Sequence, residues 1–146
     1  MRGGLSVTLL TLAACAPSPP EAGIDPNDVR QVAAGEALYR QHCAACHGAR
    51  LEGQPAWQRR LLTGRLPAPP HDASGHTWHH PNAALFAITR DGMVPPWAPE
   101  GYVSDMPAFA GVLADEEIRA VLAFIQSAWP PEIAAMRERM LEQMRR

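Results

Sequence analysis

The chain has 146 residues, of which 47% are hydrophobic, enough for one domain of ordinary size with segments left over at both ends. Its 13 basic and 15 acidic residues give a formal net charge of -2, which gives no reason to expect nucleic acid as a partner. Fifteen prolines and 11 glycines, without an internal repeat, favour a loop-rich fold with a few helices.

The N-terminus has the pattern of a targeting segment. Arg2 is followed by an apolar run over residues 5–13, which is too short to span a membrane as a helix. Residues 12–15 read Leu-Ala-Ala-Cys, an ending that resembles a bacterial lipobox, in which the cysteine is lipidated. Residues 1–14 are therefore predicted to be a lipoprotein signal peptide and Cys15 the lipidated residue, with simple secretion as the alternative.

Residues 15–27 are predicted to be a lipidated N-terminus and a tether. The prolines at 17, 19 and 20 lie in a stretch without an apolar period, which is typical of a spacer. Anchoring through more than one acyl chain is stable. We therefore expect the mature chain to be exported and to lie on the periplasmic face of a bacterial membrane, held by its lipid anchor.

A first core helix is predicted to begin after Asp25 and to run to about Cys43. Asp25 is the expected N-cap and Pro26 the first helical residue. Ile24 and Val29 are the expected hydrophobic staple at this end.

Residues 43–47 read Cys-Ala-Ala-Cys-His, the pattern of covalent c-type haem attachment. Two thiols at this spacing can each form a thioether to one porphyrin, and the next residue then lies under the iron. Cys43 and Cys46 are therefore predicted to hold one haem c covalently, with His47 as the proximal axial ligand. The alternatives are a dithiol redox motif and half of a zinc site. The histidines that could complete a zinc site are His71, His76, His79 and His80.

Residues 48–75 are rich in proline and turn residues, so this segment is predicted to be a loop wrapped along the haem edge. Residues 76–80 read His-Thr-Trp-His-His and precede a helix that Pro81 is expected to open and Gly92 to close. The apolar side of that helix is expected to consist of Leu85, Phe86 and Ile88.

The polar cluster at 76–80 offers donors for haem propionates. The N–H groups of Trp78 and His79, with the guanidinium of Arg90 or Arg65, are suited to such contacts. His79 or His80 as a second axial ligand is an alternative use of the same cluster.

Met106 is the expected distal axial ligand. A methionine before proline is held in an extended conformation, which suits a strap that crosses the open face of a haem and presents a thioether to iron. Met93, in a second proline-containing segment, is the rival.

A last core helix is predicted over residues 115–129, stopped by Pro130 and Pro131. Its acidic first turn, residues 115–117, suits the helix dipole. Gly35 inside the first helix costs about 1 kcal/mol relative to alanine, which predicts close approach of another helix there. The apolar residues of the last helix recur at a helical period and are Ile118, Val121, Leu122, Ile125 and Trp129.

The chain resembles a class I monohaem cytochrome c over residues 30–129. The resemblance rests on a helix that ends in C-x-x-C-H, a Met-Pro loop, and a last helix that begins with acidic residues. The resemblance implies an all-α fold, with three to four core helices around one covalent haem, long proline-rich loops and a domain spanning 28–130. It also implies that Gly35 and Tyr39 cross the 121–125 face of the last helix. In the family a loop carbonyl accepts the other N–H of the proximal histidine. The candidates for that carbonyl are Pro55, Pro69 and Pro70.

Residues 131–146 extend beyond the usual end of that family. An additional amphipathic helix is predicted there, with its arginines on other faces. It is expected to dock on its own domain, with a partner protein or the lipid surface as alternatives. Its apolar face is expected to consist of Ile133, Met136, Met140, Leu141 and Met144.

These features predict a membrane-anchored one-electron carrier of a bacterial respiratory or other periplasmic redox chain. Its iron would cycle between Fe(II) and Fe(III) with both axial positions occupied, and its partners would be redox proteins. The sequence shows no motif for nucleophilic or paired-carboxylate catalysis, so we expect that the protein is not an enzyme in its own right. The alternatives are a bound subunit of an oxidase or dehydrogenase, an open-site ligand-binding haem protein, and a zinc or copper module built on the histidine cluster.

Overall fold

The computed structural model of the chain describes residues 23–146. These residues form five α-helices without a β-strand, which confirms the all-α prediction. The helices are α1 Val29–His42, α2 Ala44–His47, α3 Asn82–Asp91, α4 Asp115–Ser127 and α5 Pro131–Met144, and the 3₁₀ helix Thr77–His79 precedes α3. The predicted signal peptide and Cys15 lie outside the described residues. Within 23–146, every helix is too short or too polar to cross a membrane.

Helix α1 begins three residues later than predicted. Asp28, not Asp25, is its N-cap, because the Asp28 carboxylate accepts the backbone N–H groups of Arg30 at 2.9 Å and Gln31 at 3.3 Å. Asp25 instead closes a separate turn by accepting the N–H of Asn27 at 2.8 Å. Pro26 is therefore outside the helix, so the predictions for Asp25 and Pro26 were wrong.

The predicted staple is also absent at this end of α1. Val29 is 80% exposed, so it cannot cover Ile24. Ile24 packs against the hydrophobic core instead.

Helices α1 and α4 cross where Gly35 allows their backbones to meet. A Cβ atom added at Gly35 would lie 1.9 Å from the carbonyl oxygen of Ala120. One turn further along α1, Tyr39 is fully buried, and its ring centroid lies 5.3 Å from that of Phe124. The predicted crossing at Gly35 is confirmed, with the contact on α4 at Ala120 and Phe124.

The hydrophobic core lies between these two helices and α3. Ile118, Val121, Leu122 and Ile125 of α4 are all buried in it, as predicted. Helix α4 ends at Ser127, so Trp129 lies beyond it, although its ring is still buried. The remaining large core residues are Tyr39, Leu51, Leu85, Phe86, Phe109 and Leu113.

Helix α3 packs its buried side against the same core. It begins at Asn82, with Pro81 as its N-cap rather than its first helical residue, and Gly92 closes it as predicted. Leu85 and Phe86 are buried, whereas Ile88 is only half-buried.

Helix α5 docks on its own domain, on a face that overlaps the predicted one in part: Ile133, Met140 and Leu141 are half-buried. Ile133 packs against the core, and Arg137 is buried with 5% of its surface exposed. Met136 and Met144, predicted for the inner face, are 44% and 61% exposed. A hydrogen bond explains why Arg137 faces inward: its Nη2 donates to the carbonyl of His80 at 2.9 Å. Sequence periodicity does not reveal this contact.

Candidate functional site

The two cysteines and the histidine of the motif lie on a single turn of helix. Cys43 is the C-cap of α1 and the N-cap of α2, and its carbonyl accepts the N–H of His47 at 2.9 Å. Cys43 is half-buried, Cys46 is exposed and His47 is buried. The turn therefore places two free thiols and one imidazole at neighbouring positions.

The Cys43 thiol is kept protonated. Burial, followed by the charge of the neighbouring Cys46, raises the pKa of Cys43 to about 11. Dithiol redox motifs instead depress the pKa of the attacking cysteine, because the thiolate is the nucleophile. Cys43 therefore lacks the depressed pKa of an attacking cysteine.

The imidazole of His47 is oriented by a loop carbonyl. Its Nδ1 lies 2.8 Å from the carbonyl oxygen of Pro69, and a carbonyl can only accept, so Nδ1 carries the proton. Burial also lowers the pKa of His47, although this hydrogen bond opposes the shift. His47 is thus held as a neutral imidazole whose Nε2 lone pair is free, the form that binds a metal. Of the three prolines left open by the sequence, the structure selects Pro69.

Two glycines allow the chain to pack closely around Pro69. A Cβ at Gly53, whose φ is +67°, would lie 2.4 Å from the nitrogen of Pro70. A Cβ at Gly75 would lie 2.0 Å from the carbonyl oxygen of Pro70. Larger residues at these positions would displace the Pro69-Pro70 segment. Sequence reasoning missed both glycines, and only Gly75 lies near the double proline in the chain.

His71, which the sequence offered only as a candidate zinc ligand, lies against His47. Its ring stacks on that of His47, with centroids 3.9 Å apart and planes 18° apart. Burial lowers the pKa of His71 well below its ordinary value, so this ring is neutral as well. His71 therefore covers one face of the His47 ring.

Met106 lies in a segment fastened to α3. The N–H of Met106 donates to Ser104 Oγ at 3.0 Å, and the N–H of Phe109 donates to the carbonyl of Thr89 at 3.1 Å. Met106 is half-buried and packs against the core, and Met93 is half-buried in the loop that follows α3. Arg65 forms an ion pair with Asp105, which joins the 48–75 loop to the Met106 segment.

Three of the four candidate propionate donors have partners within the protein. The Trp78 indole N–H donates to the carbonyl of Gly75 at 3.1 Å. Arg65 pairs with Asp105, as described above. Arg90 lies 3.4 Å from a carboxylate oxygen of Asp115. His79 is exposed, with its ring against that of Trp78. The use of these residues toward a propionate stays a prediction.

His76 and His80 form an aromatic cluster with Trp57. His76 stacks on Trp57 at a centroid distance of 5.2 Å and meets the edge of His80 at 5.4 Å. Within residues 23–146, no group of three or more histidine, cysteine or acidic side chains is placed to hold a metal ion. The zinc or copper alternative thus finds no site in this part of the chain.

The donor set at α2 fits a covalently bound haem, since it combines two free thiols with a neutral, oriented imidazole. One family model, described as cytochrome c oxidase, cbb3-type, subunit III, matches residues 30–125. This range begins within α1 and ends within α4, and it contains the Cys43–His47 turn and Met106. No curated protein and no solved structure matches the chain.

Proposed function

The chain belongs to the c-type cytochrome family of that model, and from this premise we propose that it is a one-electron carrier with His47 and Met106 as axial haem ligands. The family implies a covalently bound haem c and haem-based electron transfer. When bound, haem c supplies the Fe(II)/Fe(III) couple.

The observation that carries the proposal is the hydrogen bond from His47 Nδ1 to the Pro69 carbonyl. This bond fixes the tautomer and the orientation of the ring, and it raises the donor strength of Nε2. A buried histidine in an ordinary core needs a partner too, but here the ring also follows two free cysteines on the same helical turn. Cys43 and Cys46 are the proposed thioether attachment points.

Met106 is the proposed ligand on the opposite side. Its half-buried position against the core and the fastening of its segment to α3 support this role. With two protein ligands, the site keeps no open position for oxygen or peroxide. An electron carrier needs only that closed site and a small, transient docking surface.

A second candidate role is that of a bound subunit in a terminal oxidase. The description of the matching family model favours it. Helix α5 gives the subunit role less support, because its inner face already packs on its own domain through Ile133 and Arg137. Stable co-purification of the tagged full chain with a multisubunit oxidase would favour the subunit role over a free carrier.

Export and lipid anchoring through Cys15 complete the proposal. The Leu-Ala-Ala-Cys sequence at residues 12–15 supports them. The mature protein is then expected to begin at Cys15, to carry acyl chains and to partition into detergent. A Cys15→Ser variant should remain in the aqueous phase, and an unlipidated wild-type protein would contradict the anchor.

Carbon monoxide binding tests the closed site. The reduced wild-type protein and a Met93→Ala control are expected to bind no carbon monoxide at neutral pH, whereas Met106→Ala should bind it stoichiometrically. Ready binding by the wild type would instead support an open-site haem protein. Binding by Met93→Ala alone would transfer the ligand role to Met93.

A further inference from the structure

The segment that holds the Pro69 carbonyl is itself held by a residue outside the range that the family model matches. Trp129 lies beyond α4, outside the matched range 30–125. Its indole N–H donates to the carbonyl of His71 at 2.9 Å, across 58 residues of chain. Because the Trp129 ring is buried, this bond is shielded from competing water.

Two further hydrogen bonds hold the same segment. The N–H of His71 donates to the carbonyl of Leu51 at 2.8 Å, and Thr77 Oγ1 donates to the carbonyl of Pro70 at 3.3 Å. Residues 69–71 thus have one backbone group directed at His47 and three others fixed by the surrounding chain. Of these bonds, only the one from Trp129 originates outside the matched range 30–125.

Helix α5 in turn fixes Trp129. The guanidinium carbon of Arg137 lies 5.4 Å from the centroid of the Trp129 ring, and the Arg137 side chain is anchored on His80 and Asn82. Helix α5 is therefore connected to His47 by a continuous set of contacts. Arg137 contacts Trp129, Trp129 donates to His71, and His71 stacks on the His47 ring.

We propose that Trp129 is a positioning residue for His47. By fixing the His71 carbonyl, it sets both the stacking of His71 on the His47 ring and the place of the Pro69 carbonyl two residues earlier. A shorter Nδ1–H to carbonyl bond gives the imidazole more anionic character and stabilises ferric iron. Trp129 thus lowers the reduction potential of the site. This inference rests on the proposed role of His47 as axial ligand.

The test is Trp129→Phe in the haem-loaded full chain, which keeps a buried aromatic ring but removes the N–H donor. Trp97→Phe is the matched control, because it makes the same chemical change at a partly exposed ring, 40% accessible. Thr77→Val provides a second arm, since it removes the donor to Pro70 while keeping the side-chain shape.

Two measurements report on the hydrogen bond from His47 Nδ1 to the Pro69 carbonyl. The reduction potential should rise in Trp129→Phe and in Thr77→Val but not in Trp97→Phe. Exchange of the His47 Nδ1 proton with solvent, followed by NMR in the reduced protein, should become on the order of fivefold faster, the factor expected for losing one ordinary hydrogen bond. A merely structural role would lower the unfolding midpoint and leave both values unchanged.

Failure of the proposed function and failure of the Trp129 role give different results. If the wild type lacks the visible bands of a haem with histidine and methionine ligands, the proposed function fails. If those bands are present and Trp129→Phe matches Trp97→Phe in potential and in proton exchange, the positioning role of Trp129 is overturned. If Trp129→Phe does not fold, an unchanged potential and exchange rate in Thr77→Val overturns the mechanism by which Trp129 is proposed to act.

Discussion

His47 Nδ1 and the carbonyl oxygen of Pro69, 22 residues apart in the chain, lie 2.8 Å apart in the structure. The two groups come from different kinds of backbone, since His47 ends a one-turn helix and Pro69 lies in a loop. The glycines at 53 and 75 allow that loop to pack closely. Ligand orientation therefore depends on the whole loop and not on the motif alone.

Gly53→Ala tests how strictly this loop is packed. The added Cβ would meet the nitrogen of Pro70 at 2.4 Å in a left-handed backbone conformation, so we expect a loss of about 2–3 kcal/mol in the free energy of unfolding. Gly64→Ala is the matched control, because Gly64 also has a positive φ, +80°, but has nothing within 4 Å. It should lose only the strain, about 1 kcal/mol. Equal losses in urea unfolding would contradict the close packing.

Gly35→Ala tests the crossing of α1 and α4. Helix propensity alone would stabilise the variant by about 1 kcal/mol. The contact with the Ala120 carbonyl instead predicts a net destabilisation of about 1–3 kcal/mol, because two backbones must separate. Ala33→Gly, at an exposed position of the same helix, measures the propensity term separately. An increase in the denaturation midpoint of Gly35→Ala would show that the helices do not meet there.

Arg137→Met tests the docking of α5. The change removes hydrogen bonds to the His80 carbonyl and to Asn82 Oδ1, at 2.9 Å and 2.8 Å. We expect the free energy of unfolding to fall by about 2 kcal/mol, since a buried carbonyl loses a charged donor. The same substitution at exposed Arg139 should stay within about 0.5 kcal/mol. Similar values for the two variants would show that α5 is not anchored by Arg137.

The histidine cluster predicts a loss of stability on acidification. Burial, and then the neighbouring imidazoles, lower the pKa values of His76 and His80 below 6.5. As the pH falls below 6.5, the unfolded chain takes up protons before the folded one does, so the stabilisation is complete above that pH and declines below it. Urea midpoints on either side of pH 6.5 should show this decline, and His80→Gln should reduce it. A midpoint that rises on acidification would contradict the assignment.

The sequence was most informative where the chemistry is local. The Cys-x-x-Cys-His spacing carries its meaning within five residues, and the structure sets Cys43, Cys46 and His47 on one helical turn. The glycine inside α1 predicts a close approach of another helix, which the structure confirms at Ala120. The choice of Pro69 over Pro55 and Pro70 could not be made in this way, because it depends on how a loop folds against Gly53 and Gly75.

The errors have physical reasons as well. Asp25 and Asp28 are both good N-caps, and the choice between them depends on which backbone N–H groups each carboxylate reaches. Arg137 was assigned to a solvent face because a charged residue seldom lies inside. Its burial becomes evident only once the His80 carbonyl and Asn82 are seen beside it.

The NMR spectrum of the reduced full chain tests the central claim most directly. The ring current of a haem moves the methyl resonance of an axial methionine far upfield, so the ligand identifies itself. We predict one such methyl resonance, present in the wild type and in Met93→Ala and absent from Met106→Ala. A spectrum without an upfield methionine methyl, or one in which the resonance disappears in Met93→Ala, would contradict the account.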